Sequence, residues 1–259
     1  KYLNGHILGE VSARDSRLKQ FSQDKSVLSV APSLVVFPRI TDDIRKTMRF
    51  SWQLAEKGHI FGITARGYGG STDGSSLGEG VVLDLSRHMN GIYELDLKNK
   101  MVRVAAGVNF RELNLALGSQ ALNILQSPAG ERLTVGGAVA QNLPAEKYNY
   151  GELADAVEKM EVVLSNGEIV QTGRISKREL NRKKGLQNFE GELYRKIDGL
   201  IEDHFEAISS KIQEDASYGY SGITKVKQAD GSFDLTPLFF GSEGTLGVIT
   251  ELVLKADFI

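Results

Sequence analysis

The sequence predicts an α+β fold built on mixed or antiparallel sheets. Strand-like runs come in pairs more often than in alternation with helices, which argues against a doubly wound parallel sheet. Two of these pairs are joined by hairpin signals, Asn166-Gly167 and Lys98-Asn99-Lys100. A glycine-rich stretch joins one strand directly to the next with no helix between them.

The elements follow in order. Residues 1–30 are polar and mixed and read as a lead-in compatible with helix. SLVVFP at 33–38 is a short strand stopped by proline. At 41–58 the sequence reads as a helix, with Thr41 as N-cap, Asp42 and Asp43 at the positive dipole end and Gly58 at C′. Its apolar face takes in Ile44, Met48, Trp52 and Ala55, and Trp52 is assigned to the core. Strands follow at 60–65, 80–86, 92–97 and 101–107. NFRELNLALGSQ is a short helix capped by Asn109, with Phe110, Leu113 and Leu117 inward. Residues 156–173 form the hairpin tipped by Asn166-Gly167. Residues 174–215 are charged and helical, with Leu193, Ile197, Leu200 and Ile201 on one face. At 237–256 a glycine turn is bracketed by two apolar strands.

Composition narrows the function classes. With 259 residues the chain can bury a sizeable core, and its 41% hydrophobic and 25% charged content is that of a globular domain. A net charge of −2 gives no reason to expect nucleic acid as a partner. The absence of cysteine excludes disulfides, iron–sulfur ligation and thiol catalysis on these residues. His6, His59, His88 and His204 are far apart and unpaired, so no metal site is expected. No apolar run is long enough for a transmembrane segment, and a cytoplasmic protein, or one peripheral at the membrane, is expected.

The glycine-rich stretch ARGYGGSTDGSSLGEG, at 65–80, invites comparison with phosphate cradles. Gly69 and Gly74 have Walker A spacing, but Ser75 stands where that loop needs lysine. A dinucleotide fingerprint needs a helix directly after the glycines, and here the strand VVLDL follows. Two readings remain: a nest of successive amides that binds an anion, aided by Ser71, Thr72 and the charge of Arg66, or a polar hairpin loop.

Three stretches in order, ARGYGGSTDGSSLGEGVVLDLSR, SPAGERLTVGGAVAQN with a later YG, and LFFGSEGTLGVITE, resemble the FAD-binding domain of the vanillyl-alcohol oxidase / p-cresol methylhydroxylase superfamily. The glycolate oxidase and D-lactate dehydrogenase branch of FAD-linked oxidases is the nearest in look. The resemblance covers about residues 20–259 and is loose between 174 and 215. It implies FAD held between two α+β subdomains, here 31–90 with the pyrophosphate loop at 66–74, and 91–259. By the match, Arg66, Gly67, Tyr68, Gly69, Gly70, Ser71 and Thr72 wrap the pyrophosphate. Pro128, Ala129, Thr134, Gly136, Gly137, Ala140 and Asn142 pass beside the ribityl chain and flavin ring, and Tyr150 and Gly151 close that turn. Glu243, Gly244, Gly247 and Ile249 lie against the cofactor, largely through backbone.

Two departures from the family pattern matter. Members with covalent flavin often carry histidine just after the paired glycines of the first loop. Ser71 stands there, so non-covalent FAD is expected. NLPAEKYNYG, with Pro144, Lys147 and Tyr148, replaces the family's usual NAGG, which implies altered access to the flavin.

In the family a cap domain follows and supplies much of the substrate pocket. The sequence stops at LVLKADFI, where that cap is expected to begin, so the chain reads as the flavin domain of a longer enzyme or of one completed by a partner subunit. No catalytic residue is assigned, and the electron acceptor stays open. The resemblance implies oxidation of a small 2-hydroxy acid. An alditol or sugar oxidase, a cell-wall-precursor flavin reductase and a non-catalytic FAD-binding subunit are the alternatives.

Overall fold

Two sheets and the helices around them form the body of the chain. The computed structural model describes residues 2–130, 132–214 and 220–258, and sequence expectations at Lys1, Glu131, 215–219 and Ile259 lie outside it. In chain order the strands and α-helices are β1 (Glu10–Ser12), α1 (Asp15–Gln20), β2 (Leu34–Phe37), α2 (Thr41–Glu56), β3 (Ile63–Arg66), β4 (Val81–Asp84), β5 (Ile92–Asp96) and β6 (Met101–Ala105). There follow α3 (Phe110–Gly118), β7 (Leu122–Asn123), α4 (Val135–Ala140), α5 (Leu153–Ala156), β8 (Val157–Val163) and β9 (Ile169–Gln171). The last are α6 (Lys177–Lys184), α7 (Phe189–Asp203), α8 (Phe205–Glu214), β10 (Val248–Lys255) and β11 (Asp257–Phe258).

The first sheet has the order β1-β2-β4-β3, and the second β5-β6-β10-β8-β9. In the first, β2, β4 and β3 run parallel and β1 adds an antiparallel edge. The second is antiparallel throughout. One mixed and one antiparallel sheet is the α+β class that the paired strands predict. The central strand β4 is buried at every position, as parallel strands covered on both faces are. In β6, Val102 and Val104 point inward while Arg103 turns to solvent and pairs with Glu251, the period-two signature of a sheet with one wet face.

Because β3 and β4 are parallel neighbours, the glycine-rich connection between them is not a hairpin loop. It carries the chain back along the full length of a strand with no helix. The lead-in supplies β1 to the edge of the first sheet and α1 beside it. One core cluster joins both sheets, with Ile44 of α2, Leu83 of β4, Val104 of β6, Leu113 of α3, Met160 of β8 and Leu252 of β10 all buried in it. Each such side chain contributes roughly 1.5–3 kcal/mol by leaving water.

Four local expectations are corrected. Thr41 lies inside the first turn of α2, and its hydroxyl donates to Glu161 Oε1 on β8 at 2.7 Å instead of capping. The buried Asp43 carboxylate accepts from the Arg39 and Leu8 amides, tying that helix start to the lead-in. Trp52 is exposed and donates its indole N–H to Glu56, because only the first turns of α2, through Met48, lie under the sheets. Along α7 the buried stripe is Tyr194, Asp198 and Ile201, while Leu200 is exposed. Asp198 enters that stripe because Lys184 and Lys227 both hydrogen-bond it. The apolar run before the last glycine turn is a 3-10 turn, Thr236–Phe239, not a strand, since Pro237 cannot donate to a ladder. Gly58, Asn109 and Gly167 stand where their turn chemistry places them. Among the described residues no helix is long and apolar enough to cross a membrane.

Candidate functional site

The three glycine-bearing stretches meet at one cleft that is partly open to solvent. One side is the connection leaving β3 (Arg66 to Ser71, with Ser75 and Ser76), and the other is α4 with the turn that precedes β10. Ala65, Leu85, Ala106, Leu133, Ala140 and Ile249 give the cleft an apolar lining.

Local hydrogen bonding fixes both sides. Thr134 caps α4 by accepting from the Gly137 amide at 3.1 Å. The Val135 and Gly136 amides donate to the Val108 and Ala106 carbonyls, so the start of α4 has its amides already partnered. At its other end the Val139 and Ala140 carbonyls accept from the Gly241 and Glu243 amides, which docks the last glycine turn onto the helix. A Cβ at Gly136 would lie 2.7 Å from Ala106 Cβ, so this glycine serves packing. A Cβ at Gly137 would meet only the Thr134 side chain, at Gly70 only the Arg132 carbonyl, and at Gly244 nothing within 4 Å. Gly70 and Gly244 leave open space on the cleft walls, whereas a Cβ at Gly137 would press on the Thr134 hydroxyl at 2.8 Å.

Arg66 behaves differently from the sequence expectation that its charge faces a ligand. Its guanidinium is buried and donates to the Gln23 carbonyl at 2.7 Å and the Phe21 carbonyl at 3.3 Å, stacking 5.2 Å from the Phe21 ring. A Cβ on Gly69 would strike it at 2.2 Å, so the positive-φ glycine and the arginine fit one another. Burial lowers the Arg66 pKa, which the charges of Asp24 and Asp84 oppose. Arg66 thus clamps the lead-in against the loop. Among the described residues, the Tyr68, Gly69 and Gly70 amides donate to no protein acceptor. That is the condition for an anion nest.

The family model described as FAD binding domain matches residues 32–173, more than half of the chain. The chain belongs to the FAD-binding domain family. This FAD-binding domain is 32% identical over 236 residues to a D-2-hydroxyglutarate dehydrogenase of Pantoea ananatis, covering 89% of the domain and 23% of that protein. It is 33% identical over 242 residues to its counterpart in Escherichia coli, with the same two coverages. It is 29% identical over 227 residues to glycolate oxidase subunit GlcD of Bacillus subtilis, covering 86% of the domain and 37% of GlcD. In fold it resembles a solved alkyldihydroxyacetonephosphate synthase, with a TM-score of 0.68 at 18% identity over 100% of this chain and 40% of that one. The chain therefore spans well under half the length of these relatives.

The residues present fit FAD. Free amides on the loop suit a diphosphate, the bare walls at Gly70 and Gly244 admit close approach, and the apolar lining suits an aromatic ring system. Of the residues expected at the cofactor, Gly67, Tyr68, Gly69, Ser71, Gly247 and Ile249 line the cleft together with those named above. Six lie off it. Thr72 is exposed. Asn142, at φ 49°, ends α4. Pro128 faces a second hollow with Phe110, Asn114 and Glu146, and Ala129 is exposed. The Tyr150 carbonyl accepts from Gln126, and Gly151 packs on the Asp155 carboxylate.

The cleft also holds residues absent from the sequence expectation, chiefly Ser75, Arg132 and Gln141. All three sit within or beside the quoted stretches, so motif adjacency was the available signal. Arg132 stands 5.9 Å from the Tyr68 ring centroid. Burial raises the Tyr68 pKa, with the charges of Glu112 and Asp84 adding to it. Gln141 donates to Ser75 across the cleft at 3.3 Å. Ser75 lies 3.0 Å from the Ser71 hydroxyl, which bonds Asp73.

Proposed function

We propose that this domain carries FAD non-covalently within a larger flavoenzyme that oxidises a small 2-hydroxy acid. The observation that carries the reading is the set of free Tyr68, Gly69 and Gly70 amides on the same cleft as the bare wall at Gly244. The names of the sequence relatives, all acting on 2-hydroxy acids, support the substrate class. In this reading the nest holds the diphosphate, the apolar lining holds the flavin, and FAD when bound accepts the electrons of the oxidation. The domain's own residues bind, orient and exclude water. Ser71, whose hydroxyl is engaged by Asp73, offers no covalent anchor, and neither histidine nor cysteine lines the cleft among the described residues. A general base for the substrate then comes from the remainder of the enzyme. That division of labour also suits an FAD-binding subunit without turnover of its own.

Two measurements test this. The domain is expected to purify yellow, with a bound-flavin spectrum, and to release all its flavin into the supernatant on acid precipitation; colour left in the pellet refutes the non-covalent assignment. The full-length protein, made anaerobic, is expected to bleach on addition of D-2-hydroxyglutarate, D-lactate or glycolate. An unbleached flavin with all three removes the substrate class.

A further inference from the structure

We infer that Arg132 is the residue that answers the charge of the bound diphosphate, turning from the Tyr68 ring onto the anion seated on the Tyr68, Gly69 and Gly70 amides. This rests on reading the cleft as the FAD site. Amide dipoles meet the charge of a diphosphate only in part. A full counter-charge comes from a side chain. Arg66 does not supply it, because its buried guanidinium is spent on the Phe21 and Gln23 carbonyls. The start of α4 has no amide to offer from Val135, Gly136 or Gly137, which bond Val108, Ala106 and Thr134. Among the described residues no lysine or histidine lines the cleft, and its one lining carboxylate, Glu243, repels an anion. Arg132 is the cation that remains.

Its placement suits the task. Arg132 stands two residues ahead of Thr134, the cap of α4. The next residues are fixed, since the Leu133 carbonyl accepts from the Phe110 amide and the Val135 amide donates to Val108. The Arg132 carbonyl abuts Gly70, where a Cβ would come within 3.4 Å of it. The guanidinium carbon stands 5.9 Å from the Tyr68 ring centroid. Backbone and side chain thus reach both ends of the run of free amides. A separation of 5.9 Å is at the outer edge of the range, about 6 Å, in which an aromatic face attracts a cation. The ring therefore holds the group beside the amides without committing its donors. Arg132 is exposed, and among the described residues no carboxylate pairs with it. Its planar fork of donors matches phosphate oxygens and stays charged at any ordinary pH.

The test uses FAD as the probe, since oxidised FAD near neutral pH carries its charge on the diphosphate. Its dissociation constant is measured by flavin fluorescence from about 0.01 to 1 M salt, over which the screening length falls from about 30 Å to about 3 Å. Arg132→Gln is expected to bind FAD about tenfold more weakly than the parent at low salt, a ratio that shrinks toward one at high salt. Arg132→Lys, which keeps the charge, retains the parent's salt dependence and falls between the two in affinity. The urea midpoints of both variants stay at the parent's value, because the side chain is exposed. Equal affinity in Arg132→Gln, a loss that does not shrink with salt, a loss that tracks a lowered urea midpoint, or a salt dependence in Arg132→Lys no steeper than in Arg132→Gln overturns the assignment and leaves the FAD reading standing. A parent that binds no FAD at any salt overturns both.

Discussion

Arg66→Lys separates two roles that its position in a glycine motif would confuse. If the charge of Arg66 served a bound anion, lysine would keep most of the function. In the structure the planar guanidinium instead bridges two carbonyls of the lead-in, Gln23 at 2.7 Å and Phe21 at 3.3 Å, and stacks on the Phe21 ring. An ammonium at the same place keeps one strong bond. The other buried carbonyl then loses its donor, at about 1–3 kcal/mol. The lost stacking adds about 0.5–1 kcal/mol. Arg66→Lys is therefore expected to destabilise the domain by about 1.5–4 kcal/mol, read as a lower urea midpoint with an unchanged slope. FAD affinity should fall in parallel, because the unclamped lead-in frees the loop beneath Gly69. Stability within about 0.5 kcal/mol of the parent, together with binding largely retained, would refute the clamp and restore the direct role.

Other outcomes follow from the same geometry. Gly136→Ala, forced against Ala106 Cβ at 2.7 Å, is expected to lower the thermal midpoint by several degrees. Gly70→Ala, whose nearest neighbour is the Arg132 carbonyl at 3.4 Å, is expected to fold normally and to lose FAD affinity at least tenfold by equilibrium titration. Asp198→Asn is expected to cost about 1–3 kcal/mol, since Lys184 and Lys227 lose their buried partner while staying partly in water. Burial alone would raise the Asp198 pKa, but the bonds from the two lysines outweigh it and hold it below the usual range. Its contribution is therefore full above the ordinary aspartate pKa and is lost as pH falls through the lowered one. Denaturation curves of the parent and of Asp198→Asn should accordingly converge in acid, and parallel curves would contradict this.

The parts legible in the sequence are those with local causes. Asn109 caps α3 through its own side chain, and Asn166-Gly167 turns its hairpin by backbone preference. The three motifs meet at the cleft because their glycines meet needs that only folding reveals, packing at Gly136 and open space at Gly70 and Gly244. What could not be read was set by distant partners. Trp52 has the helical spacing of a core residue, yet no sheet lies beneath it. Leu200 yields the buried stripe to Asp198 because two lysines, one 29 residues away, neutralise that carboxylate. Arg66 shows its partners only once residues 21 and 23 fold back over the loop. Pro128 lines a second hollow beside α3, and the Tyr150 carbonyl accepts from Gln126, partners that the sequence order alone does not reveal.

The strand at the centre of the second sheet is the last one made. β10 pairs with β6 on one side and β8 on the other, joining Leu252 to Val104 and to Met160. As the chain leaves the ribosome, the first sheet has all its strands by residue 84, whereas β6 and β8 wait with bare inner edges until residues 248–255 appear. Bare edges invite pairing with other chains, and contacts this distant in sequence close slowly. Ile249 on β10 also forms part of the cleft wall. Under the proposed reading, a cofactor seated against that wall would engage only a sheet whose central strand is already in place.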